Sequence, residues 1–156
     1  MSTNMTALKG IYLFKEFDDK ELQEVAKLGV DKTVTAGEEF FSAGQEAKCF
    51  FVIEMGSVKI FTNLKSGDSA GITQFGSGSH FGELAFLDGG KRSATAQAVE
   101  SCRILEIPFD GLKKLLDTNP TMAVKFYKST SRFLASRLRS TTNDLASVKE
   151  AKLKLF

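Results

Sequence analysis

"FGELAFLDGGKRSATAQA", residues 81–98, decides how the rest of the chain is read. Its acid, Glu83, follows Gly82 and opens a short apolar run. Gly89 and Gly90 then lead to Arg92, which stands beside the small residues Ser93 and Ala94. The run after Gly82 predicts one short turn of helix, whose first backbone N–H groups are open to an anion. Arg92 adds a permanent charge on a planar fork that suits phosphate. Glycines let the backbone come close to a ligand. Glu83 is an acceptor for sugar hydroxyls, as acidic residues are for ribose in dinucleotide-binding folds. A carboxylate against a phosphate would be repelled, so Glu83 and Arg92 should address opposite ends of a sugar phosphate.

On either side of this stretch the pattern is β. Short strand-like runs alternate with glycine turns in "KTVTAGEEFFSAGQ", "KCFFVIEMGSVKIFTN", "GITQFGSGSHFG" and "SATAQAVESCRILEIP". Spacing of that kind predicts a small antiparallel roll or barrel over about 31–108. "EMGSV", 54–58, reads as a tight turn between two apolar strands. Ahead of the roll, "DDKELQEVAKLG" reads as a helix capped by Asp18 or Asp19. Leu22, Val25, Ala26 and Leu28 lie on one side of it, and Gly29 is expected to stop it.

Behind the roll the chain is helical over about 109–153. "FDGLKKLLDTNP" is a short helix that ends before Pro120, because the residue before proline avoids the helical region. Pro120 can start the next helix, and nothing breaks that helix until about Lys152. Its seam is Val124, Tyr127, Ser131, Leu134, Leu138, Thr141, Leu145, Val148, Lys152 and Leu155. Alternating spacings of three and four make it a heptad pattern. At about 1.5 Å per residue the helix is ~45 Å long, more than a roll of this size can cover. The first half of the seam is expected to pack on the roll and the second half on a partner helix. A second copy in parallel is the simplest cover, giving a homodimer.

The residues quoted so far resemble those of cyclic nucleotide-binding domains, the type found in catabolite activator proteins and in regulatory subunits of cyclic AMP-dependent protein kinase. The resemblance spans about residues 10–142, and 81–98 looks like the phosphate-binding cassette. It implies an α+β fold, a jelly-roll-like antiparallel β-roll flanked by an N-terminal helix and a long C-terminal helix, in one domain over 1–156. It implies that Glu83 accepts the ribose 2′-hydroxyl and that Arg92 holds the cyclic phosphate. Gly82, Leu84, Ala85, Ser93 and Ala94 match the small or backbone contacts around them. "ASRLRSTTNDLA", 135–146, resembles the activator's dimerisation helix, so Arg137, Thr141 and Thr142 match residues near the base, partly across the dimer. Counted from Pro120 they come four residues late, about one turn or ~6 Å. Lys91 stands where many eukaryotic members have proline. The ligand this implies is cAMP. Ser93 keeps cGMP as the alternative, since members that favour cGMP often have a hydroxyl residue after the arginine. A degenerate roll, in which Glu83 and Arg92 merely pair with each other and the domain acts as a protein-interaction or transcription-regulator-like module, is the third reading.

Bulk properties exclude more than they choose. The chain has 156 residues, a net charge of +2, fourteen Phe and no Trp. That suits one Phe-built core. Residues 121–156 carry eight Lys/Arg against two Asp/Glu, a basic stretch best explained as a solvated helix face. Cys49 and Cys102 are expected as buried thiols of a reducing, cytoplasmic compartment, and no Cys/His spacing suggests a metal. Neither a signal peptide nor a membrane span is legible. His80, the single histidine, is placed in a turn with a surface or turn role, and one histidine is too few for a metal-dependent roll enzyme. No catalytic residue is expected. Direct DNA reading is not expected either, since no helix-turn-helix follows before Phe156. The downstream partner is an unknown effector protein.

Overall fold

The computed structural model describes residues 3–63, 65–67 and 69–154. Eight strands form two four-stranded antiparallel sheets. The first has the order β1 (Val30–Val34), β8 (Cys102–Pro108), β3 (Cys49–Met55), β6 (His80–Phe81). The second has β2 (Glu39–Phe41), β7 (Thr95–Ala98), β4 (Val58–Asn63), β5 (Ser69–Phe75). The expected roll is therefore present. The turn at 54–58 carries the chain from one sheet to the other, since β3 and β4 belong to different sheets.

The central strands of the first sheet, β3 and β8, are covered on both faces, and that explains their nearly continuous apolar runs. Successive side chains point to opposite faces. Phe50 and Val52 enter one core with the helices, and Phe51 and Ile53 enter the other, between the sheets. Leu105 and Ile107 of β8 repeat the first direction, Cys102 and Ile104 the second. Phe14 joins the layers on the helical side. Its ring lies 5.2 Å from Phe17, 6.3 Å from Phe50 and 5.7 Å from Phe126. Truncating a ring so placed costs about 3–5 kcal/mol.

The helical layer contains α1 (Thr3–Lys9), a 3-10 turn (Tyr12–Phe14), α2 (Asp19–Ala26), α4 (Phe109–Thr118) and α5 (Pro120–Lys154), while α3 (Leu84–Asp88) lies within the roll sequence. Asp18 caps α2 through a full capping box, accepting from Glu21 N at 2.9 Å while its own N–H donates to Glu21 Oε1 at 2.9 Å. The helix ends at Ala26, ahead of Gly29. Gly29 serves close packing instead, because a Cβ there would lie 2.5 Å from buried Leu105.

α5 corrects one expectation. Its first half turns Met122, Phe126, Ser129 and Thr130 inward, while Val124, Tyr127 and Ser131 are exposed. The inward residues are three or four apart, the same spacing as the seam on a different stripe. Phe126 wins because it completes the Phe14 cluster. Apart from half-buried Leu134, the apolar positions of the heptad seam are left open, with Leu138 66% and Leu145 54% exposed; Leu155 lies outside the described residues. At about 1.5 Å per residue, α5 is ~52 Å long. Among the described residues no helix is long and apolar enough to cross a membrane.

Candidate functional site

Residues 80–98 are held by both sheets. Phe81 pairs with Phe51 across β3 and β6. The chain then turns at Gly82, whose φ of +86° is strained for any residue with a Cβ. α3 follows, closed at Gly89, whose N–H donates to Ala85 O at 3.0 Å. At Arg92 the backbone docks on the segment between β2 and β3. Its N–H donates to Gln45 O at 2.9 Å, and its carbonyl accepts from Gly44 N at 2.8 Å. The expected turn of helix is there, but five residues carry little dipole, so the positive charge of the site comes from Arg92.

The Arg92 side chain is buried. Nη1 donates to Gly82 O at 2.8 Å and Nη2 to Cys49 O at 2.6 Å. Its guanidinium carbon lies 4.0 Å from the centre of the Phe41 ring. Burial pulls the Arg92 pKa below its usual value, against Cys49, Glu106 and Glu83, which favour the charged form. An arginine remains charged nonetheless. Two carbonyls and a ring face hold the charge in place, but no carboxylate lies within ion-pair distance of it among the described residues. Nε is buried and without a partner. Nη2 also makes a long contact to Cys49 Sγ at 3.9 Å, so of five N–H groups three are engaged, which leaves Nε–H and one Nη1 N–H for an anion.

Glu83 is equally buried and faces away from Arg92. Its Oε1 lies 3.4 Å from His80 Nδ1 and 3.8 Å from Arg137 Nη1. The simple Glu83–Arg92 ion pair of a degenerate roll is therefore not what this fold builds. His80 corrects a second expectation. It sits in β6 and is 5% exposed, with its ring 4.8 Å from that of Phe133 in α5. The glycines of "GSGSHFG" suggested a turn, but His80 and Phe81 pair with β3; His80 is covered by Phe133 of α5, and Phe81 enters the core between the sheets.

Both charged groups open on one cavity of about 440 Å³. Gly82, Glu83, Leu84, Ala85, Arg92, Ser93 and Ala94 line it from the cassette, and Arg137 and Thr141 line it from α5. Thr142 lies outside this wall, its hydroxyl donating to Leu138 O at 2.9 Å. Thr141 likewise donates to Arg137 O, at 3.0 Å, and so offers the cavity only its acceptor side. The apolar end of the wall went unread in the sequence. It comprises Phe41, Ile60, Phe75, Phe81, Leu134 and Leu138. In sequence these are ordinary strand and helix positions; only the meeting of five elements makes them a pocket. Arg137 lies 5.2 Å from the Phe75 ring of this wall and 5.3 Å from the ring of Phe133 beyond it.

Behind Arg92 is a smaller cavity of about 310 Å³ that also reaches Cys49, Lys32 and Glu106. Cys49 is only partly buried, whereas Cys102 is fully buried. Burial first, and then the Glu106 hydrogen bond, push the Cys49 thiol up to about 12. It is a neutral, unreactive thiol. Burial acts to raise the Glu106 carboxyl, but hydrogen bonds from Lys32 and Cys49 outweigh it and hold the carboxyl below its usual range. No group of three metal-ligating side chains occurs among the described residues.

The family described as "Cyclic nucleotide-binding domain" matches residues 31–119. The cAMP-dependent protein kinase regulatory subunit of Blastocladiella emersonii is 31% identical over 87 residues, which are 56% of this chain and 22% of that protein. The cAMP-activated global transcriptional regulator CRP of Haemophilus influenzae is 30% identical over 102 residues, 65% of this chain and 46% of that protein. The chain thus spans less than half the length of these curated relatives. Among solved structures, the catabolite activator protein of Thermus thermophilus superposes with a TM-score of 0.76 at 25% identity, covering 88% of this chain and 63% of that one.

Proposed function

The chain belongs to the cyclic nucleotide-binding domain family, and on that premise we propose that it is a receptor module for cAMP that carries out no chemistry itself. The observation that carries this reading is the placing of Glu83 and Arg92 on one cavity, not paired to each other. A buried guanidinium without a counter-charge costs several kcal/mol, and an anion in the cavity offsets that cost. The cyclic phosphate takes the free N–H groups of Arg92 while Gly82 and Cys49 keep the side chain in place. The ribose 2′-hydroxyl donates to Glu83. The purine lies toward Phe75, Ile60 and Leu138, under Arg137 and Thr141. Gly82, Ala85, Ser93 and Ala94 leave the room that larger side chains would fill, and Leu84 forms the lip. The two relatives named for cAMP support this choice of ligand.

Ser93 supports a second ligand, cGMP, because its hydroxyl lines the cavity directly after Arg92 and suits a guanine amino group. Calorimetric titration with cAMP, cGMP and linear AMP separates the readings. The account expects cAMP to bind tightest and linear AMP weakly. A cGMP preference that disappears in Ser93→Ala supports the second ligand, and equal affinity for linear AMP contradicts both.

The same reading pairs two copies through α5 in the cytoplasm. The open stripe of Leu138, Leu145 and Val148 needs cover in water, and an isologous parallel pair supplies it. Thr142, outside its own cavity wall, reaches a base only across such a dimer. No DNA reading is assigned to these residues. The readout belongs to an effector protein that recognises α5 or the cassette.

A further inference from the structure

His80 enters neither the cavity wall nor the assignment above, yet it approaches the Glu83 carboxylate more closely than Arg137 does. Two atoms there are fully buried and accept or donate no hydrogen bond: His80 Nδ1 and Glu83 Oε1. They face each other at 3.4 Å. An unpaired buried polar atom is costly, so two complementary ones a few tenths of an ångström beyond bonding distance are a contact waiting to close. Hydrogen bonds at functional sites are often long and tighten in the complex with the ligand. The imidazole itself is well held. Its strand pairs His80 with Val52 of β3, and its ring lies against Phe133 of α5.

We propose that His80 is a positioning residue for Glu83, gripping Oε1 through Nδ1–H so that Oε2 is presented to the ribose 2′-hydroxyl, which makes the module's preference for ribose over deoxyribose depend on His80. The inference rests on the assignment of Glu83 to the ribose. The charged and titratable groups around the ring are few. Glu83 approaches it from the cassette, Arg137 reaches the same Oε1 from α5, and Tyr12 of the 3-10 turn shares a small cavity with it. Lys15 is engaged over the Tyr12 ring, 4.0 Å from its centre. Arg137 is 3.8 Å from Oε1 and partly exposed, so it adds charge but little direction. The buried imidazole supplies the direction. Which ring nitrogen carries the proton is fixed by the bond the ring makes, and an Nδ1–H tautomer suits this one.

The test measures dissociation constants of the full chain for cAMP and 2′-deoxy-cAMP. His80→Phe keeps a ring against Phe133 and removes both nitrogens. It should weaken cAMP about tenfold and leave 2′-deoxy-cAMP within twofold, as Glu83→Ala should. His80→Asn, whose amide nitrogen replaces Nδ1, should restore most of the ribose preference. A His80→Phe protein that weakens both ligands equally, or neither, overturns the proposal by showing a structural role. A wild-type protein that binds cAMP without ribose preference removes the Glu83 assignment and this inference together. A wild type that prefers ribose while His80→Phe keeps the preference removes this inference alone. If His80→Phe does not fold, the wild type still decides. His80 is the single histidine, so its imidazole 15N shifts are read without overlap. They should move toward a hydrogen-bonded Nδ1–H on adding cAMP and move less with 2′-deoxy-cAMP. Unchanged or equal shifts refute the grip.

Discussion

Replacing Gly82 with alanine should damage the site in two separable ways. The first is local strain. Gly82 has a φ of +86°, and an L-residue held near the left-handed region pays about 1–2 kcal/mol. The second is a collision. A Cβ at Gly82 would stand 2.8 Å from Arg92 Nη1, with the Phe41 ring at 3.4 Å and the Phe51 ring at 3.6 Å. The rings prevent the Cβ from moving away, so the guanidinium must yield by roughly half an ångström to reach ordinary contact. That weakens the 2.8 Å bond from Nη1 to Gly82 O and misaims the remaining N–H groups. A charge-assisted hydrogen bond is worth about 1.5–3 kcal/mol, and each ~1.4 kcal/mol is a factor of ten. Gly82→Ala should therefore lower cAMP affinity by about ten- to a hundredfold, in addition to its loss of stability. Gly37→Ala is the control. Its φ is +90° and a Cβ there meets nothing within 4 Å, so it takes the strain without the collision. The assay pairs calorimetric titration with thermal melting. Both variants should melt lower by a comparable amount, and only Gly82→Ala should bind more weakly. Equal affinity for the two variants would refute the claim that Gly82 protects the Arg92 geometry.

Glu83→Ala should weaken cAMP by about tenfold or more and affect 2′-deoxy-cAMP much less, as read by competition binding; equal losses contradict a ribose contact. Leu145→Lys puts a charge in the open stripe of α5 and should give a monomer by light scattering across protein concentration, where the wild type gives a concentration-dependent dimer. A wild type that is strictly monomeric with and without nucleotide removes the dimer. Glu106 is held below its usual carboxylate range by Lys32 and Cys49 despite burial. Its folded pKa is depressed, so its contribution is present above the unfolded value of about 4.3 and is lost as pH falls through the folded value. Urea titrations of Glu106→Gln should show a deficit of about 1 kcal/mol at neutral pH that shrinks toward zero in acid; a deficit independent of pH contradicts the pairing.

The cassette could be read from sequence because its chemistry is local. Glu83, Arg92, three glycines and two small residues fall within one short stretch, and the fold brings seven of the cassette positions named from it to one wall. The roll was legible through its glycine turns, and α2 through the Asp18 and Glu21 capping box. What escaped depends on contacts distant in sequence. α1 and the 3-10 turn are too short to show a period, and their place comes from Leu8, Leu13 and Phe14 entering the helical core. The inward stripe of α5 was missed because two stripes with the same spacing compete on one helix. The positions of Phe14 and Phe86 select Phe126 over Val124. His80 escaped because a strand of two residues carries no pattern of its own. Its burial comes from Val52 on one side and Phe133 on the other.

The central claim is that the buried, unpaired Arg92 guanidinium is an anion site for a cyclic nucleotide, and calorimetric titration of wild type and Arg92→Ala with cAMP tests it most directly. Removing one partner of a buried charge contact costs about 2–5 kcal/mol, a loss of thirtyfold or more at ~1.4 kcal/mol per decade. Thermal melting should show Arg92→Ala folded, since it removes a charge that burial disfavours. A folded Arg92→Ala protein with that loss is the predicted result. A folded Arg92→Ala protein that binds cAMP with wild-type affinity would contradict the account.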